Sequence, residues 1–284
     1  MSNFVAFIKM IKLEHSLFAL PFAFVGMFLA AKGLPSWQTI LWVVVAMVGA
    51  RSAAMGMNRY ADAEIDARNP RTASREIPAG NISKKATIFY IIISLLIYFA
   101  AAFMLNTLTA ILSPIPVLIF ILYAYAKRFT NLCHIILGIA LGLAPVCAWI
   151  AVTGTIDLPP FILGLAIIAW VAGFDLLYAI QDIEYDIKEG LHSIPAVLGV
   201  QGSLITARLL HFAAIVLFAV LMGVSDLGYI YLAGVLISAA FMAYEHSLIS
   251  KDDLSKLNMA FFNMNAYISI TIMVFSIIDI LVNR

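Results

Sequence analysis

Charge is scarce in this chain. Asp, Glu, Lys and Arg supply only 12% of its 284 residues, against about 25% in an ordinary soluble domain. A surface this poor in charge cannot face water all round, so the chain's main solvent is lipid. Cysteine is nearly absent: Cys133 and Cys147 stand alone. They give no disulfide framework and no thiolate metal cluster, and both read as packing thiols. Net positive charge is missing too, at +1, which removes any case for nucleic acid. There is no low-complexity stretch or long polar linker. The N-terminal segment "FIKMIKLEHSLFALPF" lacks a cleavable leader's short apolar core and small-residue cleavage site. It reads as an amphipathic lead-in, with Glu14 and His15 at the membrane interface.

What is abundant is apolar sequence, 63% of the chain. A bilayer core needs roughly 20 apolar residues per helix. Nine segments qualify, centred on 17–32, 38–57, 86–105, 108–126, 134–152, 161–181, 206–224, 228–246 and 260–282. The expectation is an all-α polytopic membrane protein, with residues 1–284 forming a single integral-membrane domain. With the N-terminus placed inside, fourteen of the 17 Lys and Arg residues fall on the inner side; Lys32 and Arg284 fall outside and Arg51 lies within a span. That bias fits the positive-inside rule and an odd number of spans.

The scarce charge is concentrated. Residues 58–80, "NRYADAEIDARNPRTASREIPAG", hold four acids and four arginines; a second island, "YAIQDIEYDIKEGLHSIPAVLG", covers 178–199. Asp62 and Asp66 are four apart, as are Asp182 and Asp186, and "IPA" follows each pair, at 77–79 and 194–196. The echo predicts two related four-helix halves plus a ninth helix. At about 100° per residue, positions four and eight apart share a helix face. Asn58, Asp62 and Asp66 then line up, as do Tyr178, Asp182 and Asp186. Like charges so placed repel, at greater cost near lipid, and a cation relieves them. All-oxygen ligands favour Mg²⁺, which takes one or two carboxylates and completes its shell with water and phosphate. Two such pairs with Arg and Lys between them would cradle a diphosphate. The bland reading, a solvated loop whose cations only set topology, does not explain why the spacing recurs in two equivalent places.

These motifs resemble those of the UbiA-type intramembrane prenyltransferases. The resemblance rests on N-x-x-x-D-x-x-x-D at Asn58, Asp62 and Asp66, on Y-x-x-x-D-x-x-x-D at Tyr178, Asp182 and Asp186, on "RTASREIPAG" at 71–80 and on "YAYAK" at 123–127. It implies a nine-helix bundle that moves a prenyl group from an isoprenyl diphosphate to an acceptor, usually aromatic, with Mg²⁺. By carry-over, Asp62, Asp66, Asp182 and Asp186 hold the metal as the catalytic cluster, joined by Asn58. Arg71, Arg75, Lys127 and Lys188 neutralise the diphosphate, with Arg128 a further candidate, and Tyr123 belongs to the third signature. Tyr178 steadies the carbocation or positions the acceptor, or is a plain interfacial tyrosine. Arg51, two turns before Asn58 on a similar face, is expected at a diphosphate or, as the basic residue near the ring pocket, at an acceptor carboxylate. Two departures stand out: Arg59 occupies a place where many members carry Asp, so that it would pair with Glu64 or phosphate, and His192 occupies one where some carry Lys. The flanking residues look closest to the 4-hydroxybenzoate polyprenyltransferase branch of ubiquinone synthesis, or to relatives acting on 1,4-dihydroxy-6-naphthoate in the futalosine route to menaquinone. The implied location is a bacterial inner membrane with the site facing the cytoplasm. A transporter is the competing class, but Arg51, Asp175 and Asp279 are the main ionisable residues deep in the spans and form no evident relay. A lipid phosphotransferase would need an Asp-Gly signature that neither island carries.

Overall fold

Helix follows helix through the computed structural model, which describes residues 2–12, 18–251 and 253–283, and no strand occurs among them. Glu14, His15 and Arg284 lie outside the described residues. Helix α1 spans Asn3–Ile11, α2 Leu20–Ala31, α3 Trp37–Ala61, α4 Ala63–Arg68, α5 Lys84–Leu105, α6 Thr107–Leu112, α7 Pro114–Ala126, α8 Cys133–Thr153, α9 Leu158–Ala179, α10 Ile183–Lys188, α11 Ile194–Val224 and α12 Tyr229–Ser247. A short turn, α13 (Leu257–Met259), and a π-helical turn at Ala260–Met264 lead into α14, Asn265–Val282.

Local chemistry sets the starts. Ser36, Ser83, Asn106 and Ser193 each turn a side-chain oxygen onto the backbone N–H three residues on, satisfying one of the orphan donors of the first turn. Gly199, at φ 64°, interrupts α11, in a left-handed conformation that glycine tolerates.

Among the described residues, seven helical stretches are long and apolar enough to cross a bilayer, and they match seven of the nine segments expected. The other two are α2, which has 12 residues, and α12, which has 19 but ends in Glu245 and His246. Large apolar side chains face outward, Phe103 being 78% exposed, as lipid-facing positions require.

The interior is packed around α9, which lies against α8 and α11. Phe22, Trp170, Phe174, Phe218 and Tyr231 are buried together there. Close approach of α8 and α9 depends on glycine: a Cβ on Gly142 would sit 2.7 Å from the Gly164 carbonyl oxygen, and one on Gly138 2.7 Å from that of Ile168. Without a hydrophobic drive between spans, such small-residue contacts carry much of the association. Gly142→Leu is expected to force the pair apart at a cost of about 1–3 kcal/mol, read as a lower midpoint of thermal unfolding in detergent. An unchanged midpoint would mean that the contact is slack.

Candidate active site

The two charged islands fold alike. Each long helix stops just before its first aspartate, and the chain bends and resumes as a six-residue helix. Asp62 has φ −88° and ψ 2°, and Asp182 has φ −102° and ψ 1°. On the first side α3 runs straight into this break; on the second a 3₁₀ turn, Ile180–Asp182, intervenes after α9. Each expected face is therefore carried across a break and not along one continuous helix: Asp62 N–H still donates to the Asn58 carbonyl at 3.0 Å and Asp66 N–H to that of Asp62 at 2.7 Å. All six residues nonetheless line a single polar cavity of about 150 Å³.

Each of the four island aspartates meets a cation. Arg71 grips Asp182 with two hydrogen bonds, Nε to Oδ1 at 2.9 Å and Nη2 to Oδ2 at 2.6 Å. Arg75 Nη1 lies 2.7 Å from both oxygens of Asp66. Arg128 Nη1 donates to Asp62 Oδ1 at 3.1 Å, and Asn58 to Oδ2 at 3.3 Å. Lys127 Nζ is 3.7 Å from Asp186 Oδ2, which also accepts from Ser193 Oγ at 2.8 Å. Asp66, Asp182 and Asp186 are buried, so each pairing offsets a desolvation cost that a lone carboxylate could not meet. Burial pushes the Asp62 carboxyl up despite Arg128. Burial also works against the Lys127 ammonium, yet Asp186 and neighbouring groups hold its pKa above the usual value. Arg71 follows the same pattern, with Asp182 outweighing burial.

The islands are also tied to one another. Arg71 belongs to the first and Asp182 to the second; Tyr185 Oη donates to the Ile65 carbonyl at 2.6 Å, and Arg68 Nε reaches Glu189 at 2.9 Å. Tyr178 lies under the Arg71 guanidinium, 5.7 Å from ring centroid to Cζ, and against Phe261.

Other expected residues are placed differently. Lys188 is exposed and off the cavity wall, because it ends α10 on the side away from Asp186. Arg51 lines a second cavity, also about 150 Å³, whose wall is otherwise made of uncharged and largely apolar side chains such as Val43, Met47, Leu141 and Ala144. Tyr123 borders both cavities. Glu64 pairs with Lys84, not with Arg59. Arg59 lines the polar cavity with its Nε buried and without a hydrogen-bond partner among the described residues. The His192 side chain is exposed, and its backbone N–H donates to the Lys127 carbonyl at 2.7 Å. Asp279 accepts from the N–H groups of Gly228 and Tyr231 at the start of α12.

Sequence reasoning missed a pair on this wall. His134 Nδ1 and Asp175 Oδ2 lie 2.7 Å apart, and both residues line the polar cavity. Their separation of 41 residues carries no local signal; only the glycine-mediated approach of α8 to α9 brings them together.

No group of three His, Cys, Asp or Glu side chains forms a metal cage among the described residues. The donors suit Mg²⁺ all the same. They are carboxylate oxygens presented from two sides of one cavity, and Mg²⁺ needs only one or two of them when water and phosphate complete the shell.

The comparisons with known proteins agree with this arrangement. The model of the UbiA prenyltransferase family matches residues 19–267. The 4-hydroxybenzoate octaprenyltransferase of Aliivibrio fischeri is 32% identical over 240 residues, covering 84% of this chain and 83% of that protein. Among solved structures, the apo form of a UbiA homologue from Aeropyrum pernix superposes with a TM-score of 0.87 at 34% identity, covering 95% of this chain and 99% of that one. A UbiA homologue from Archaeoglobus fulgidus, solved with GPP and Mg²⁺, shares the fold at a TM-score of 0.68 and 20% identity, over 96% of this chain and 99% of its own. A bundle of membrane-length helices, two matched aspartate islands on one cavity and these likenesses lead to one conclusion: the chain belongs to the UbiA prenyltransferase family.

Proposed function

We propose that this membrane prenyltransferase moves a polyprenyl group from an isoprenyl diphosphate to an aromatic acid of the 4-hydroxybenzoate type, as a step in quinone synthesis. The observation that carries the reading is the junction of the two cavities at Tyr123: a charged chamber for the diphosphate opens beside an apolar one that holds a single cation, Arg51, among its lining residues. The names of the curated relatives support the acceptor, and the Archaeoglobus structures with GPP or DMAPP and Mg²⁺ support the donor and the metal. The whole chain acts as one unit in the membrane, with the polar cavity at the lysine- and arginine-rich cytoplasmic side of a bacterial inner membrane.

Asp62, Asp66, Asp182 and Asp186 would hold Mg²⁺, joined by Asn58. Bound there, Mg²⁺ supplies Lewis acidity that neutralises the departing diphosphate. Arg71, Arg75 and Lys127, which pair with these carboxylates on the same wall, would face the phosphate oxygens of a bound diphosphate. They stabilise the negative charge that grows as the allylic C–O bond breaks, and they are already in place when it does. The Tyr178 ring, close to Arg71 and the cavity, faces the cation that forms. The apolar chamber keeps water from that cation, and the acceptor ring lies at the junction by Tyr123, its carboxylate toward Arg51 and its alkylated carbon toward the polar cavity.

The direct test is prenyl transfer in membranes carrying the protein, with Mg²⁺, long-chain isoprenyl diphosphates, and either 4-hydroxybenzoate or 1,4-dihydroxy-6-naphthoate. Product from the benzoate is expected; product from the naphthoate alone would move the protein to menaquinone synthesis, and none from either would remove the reading. Arg51→Ala is expected to raise the acceptor Michaelis constant by about tenfold or more, the scale of one charge-assisted pair. The diphosphate constant should stay where it is. An unchanged acceptor constant would take Arg51 out of acceptor binding.

A further inference from the structure

Alkylating an aromatic ring releases a proton, and the site is built to exclude the water that would take it. Asp62, Asp66, Asp182 and Asp186 on the polar cavity are each held by Arg or Lys, and in the proposed reaction they serve the metal. One basic group on that wall is committed to neither. His134, in the first turn of α8, is 1% exposed. Its Nδ1 lies 2.7 Å from Asp175 Oδ2, while its Nε2 is buried and has no hydrogen-bond partner among the described residues. Asp175 sits one turn before Tyr178 on α9, and both line the cavity with His134. In the neutral ring, a carboxylate on Nδ1 favours the tautomer with its proton on that nitrogen, and Nε2 then carries the lone pair. The same carboxylate steadies the imidazolium that forms when Nε2 takes up a proton.

We propose that His134 is the catalytic base of the transfer and that Asp175 is its positioning residue. The inference rests on the prenyl-transfer reading. The allylic C–O bond breaks and its electron pair leaves with the diphosphate. A π pair of the acceptor ring forms the new C–C bond. The C–H bond at that carbon then breaks, its pair restores the aromatic ring, and the proton passes to His134 Nε2. From there it is lost to water when the product leaves.

The test compares the full-length wild type with His134→Gln and His134→Ala, in detergent or nanodiscs, using 4-hydroxybenzoate with protium or deuterium at the ring carbon that is alkylated. Three quantities are read: product formation, binding of the isoprenyl diphosphate, and Mg²⁺-dependent diphosphate release without acceptor. In His134→Gln, product formation is expected to fall about a hundredfold, within the range that a positioned base contributes. A ring-deuterium effect, small in the wild type, should become large because proton loss now limits the rate. Diphosphate binding and acceptor-free release should persist, and added imidazole should restore part of the activity of His134→Ala. Asp175→Asn should show the same signature with a smaller loss, and it carries the test if the His134 variants do not fold. Full product formation in His134→Gln would overturn the proposal. So would a loss explained by weaker diphosphate binding with no isotope effect, which would make His134 a diphosphate ligand. A wild type that neither makes product nor releases diphosphate would remove the prenyl-transfer reading itself, and this one with it. A working wild type beside an undiminished variant would remove the base alone.

Discussion

Asp66→Ala and Asp186→Ala are each expected to lower kcat/KM for prenyl transfer by about a thousandfold or more, at the upper end of what removal of one preorganised electrostatic group costs. These carboxylates are 5% and 1% exposed, respectively, so no water can stand in freely for the lost oxygens. The substitutions also leave Arg75 or Lys127 without its partner. The local charge becomes more positive and metal affinity falls further. A steep rise in the Mg²⁺ concentration needed for half activity should accompany the drop, and separates loss of a metal ligand from loss of the fold. Activity within about tenfold of wild type at ordinary Mg²⁺ would take that aspartate out of the metal site.

Chelation has the second large effect. With EDTA in excess, transfer is expected to fall to background, and readded Mg²⁺ should restore it. The fold should barely respond. Arg71, Arg75, Arg128 and Lys127 lie within ion-pair reach of the four aspartates, so chelation leaves no uncompensated buried charge. The expected shift in the thermal midpoint is therefore small. Collapse of the fold on chelation would contradict a site assembled by its own ion pairs. Zn²⁺ at equal concentration should support less transfer, since the donor set is all oxygen.

The spans and the two islands could be read from the sequence because both signals are local. Hydropathy marks a helix over some twenty residues, and the repeated Asp-x-x-x-Asp lies within one turn. What escaped it was set at longer range. Nothing beside Asp62 or Asp182, neither glycine nor proline, announces that the helix stops there. The helix assumed to run unbroken from Asn58 to Asp66 is consequently interrupted, although the three residues still face one cavity. Lys188 and Arg128 show the limit from both sides. Charge alone favoured the lysine at the edge of the second motif. The turn after α7 instead brings Arg128 against Asp62, 66 residues away, while Lys188 faces out. His134 and Asp175 meet only because α8 and α9 touch through Gly138, Gly142 and Gly164. Arg59 was noticed as a departure, but its place on the cavity wall, away from Glu64, depends on Lys84 having taken that acid.

The bond between Arg71 and Asp182 also bears on how the protein is made. The arginine leaves the ribosome 111 residues ahead of its partner, or roughly 6 to 22 seconds at 5–20 residues per second. For that interval the first island exists without the second, with Arg71 still lacking the carboxylate that will hold it. The Tyr185–Ile65 and Arg68–Glu189 contacts wait for the same event. Closure of the site therefore waits until the chain from α5 to α9 has been made, and a chain that stops before residue 182 lacks the carboxylate that Arg71 meets.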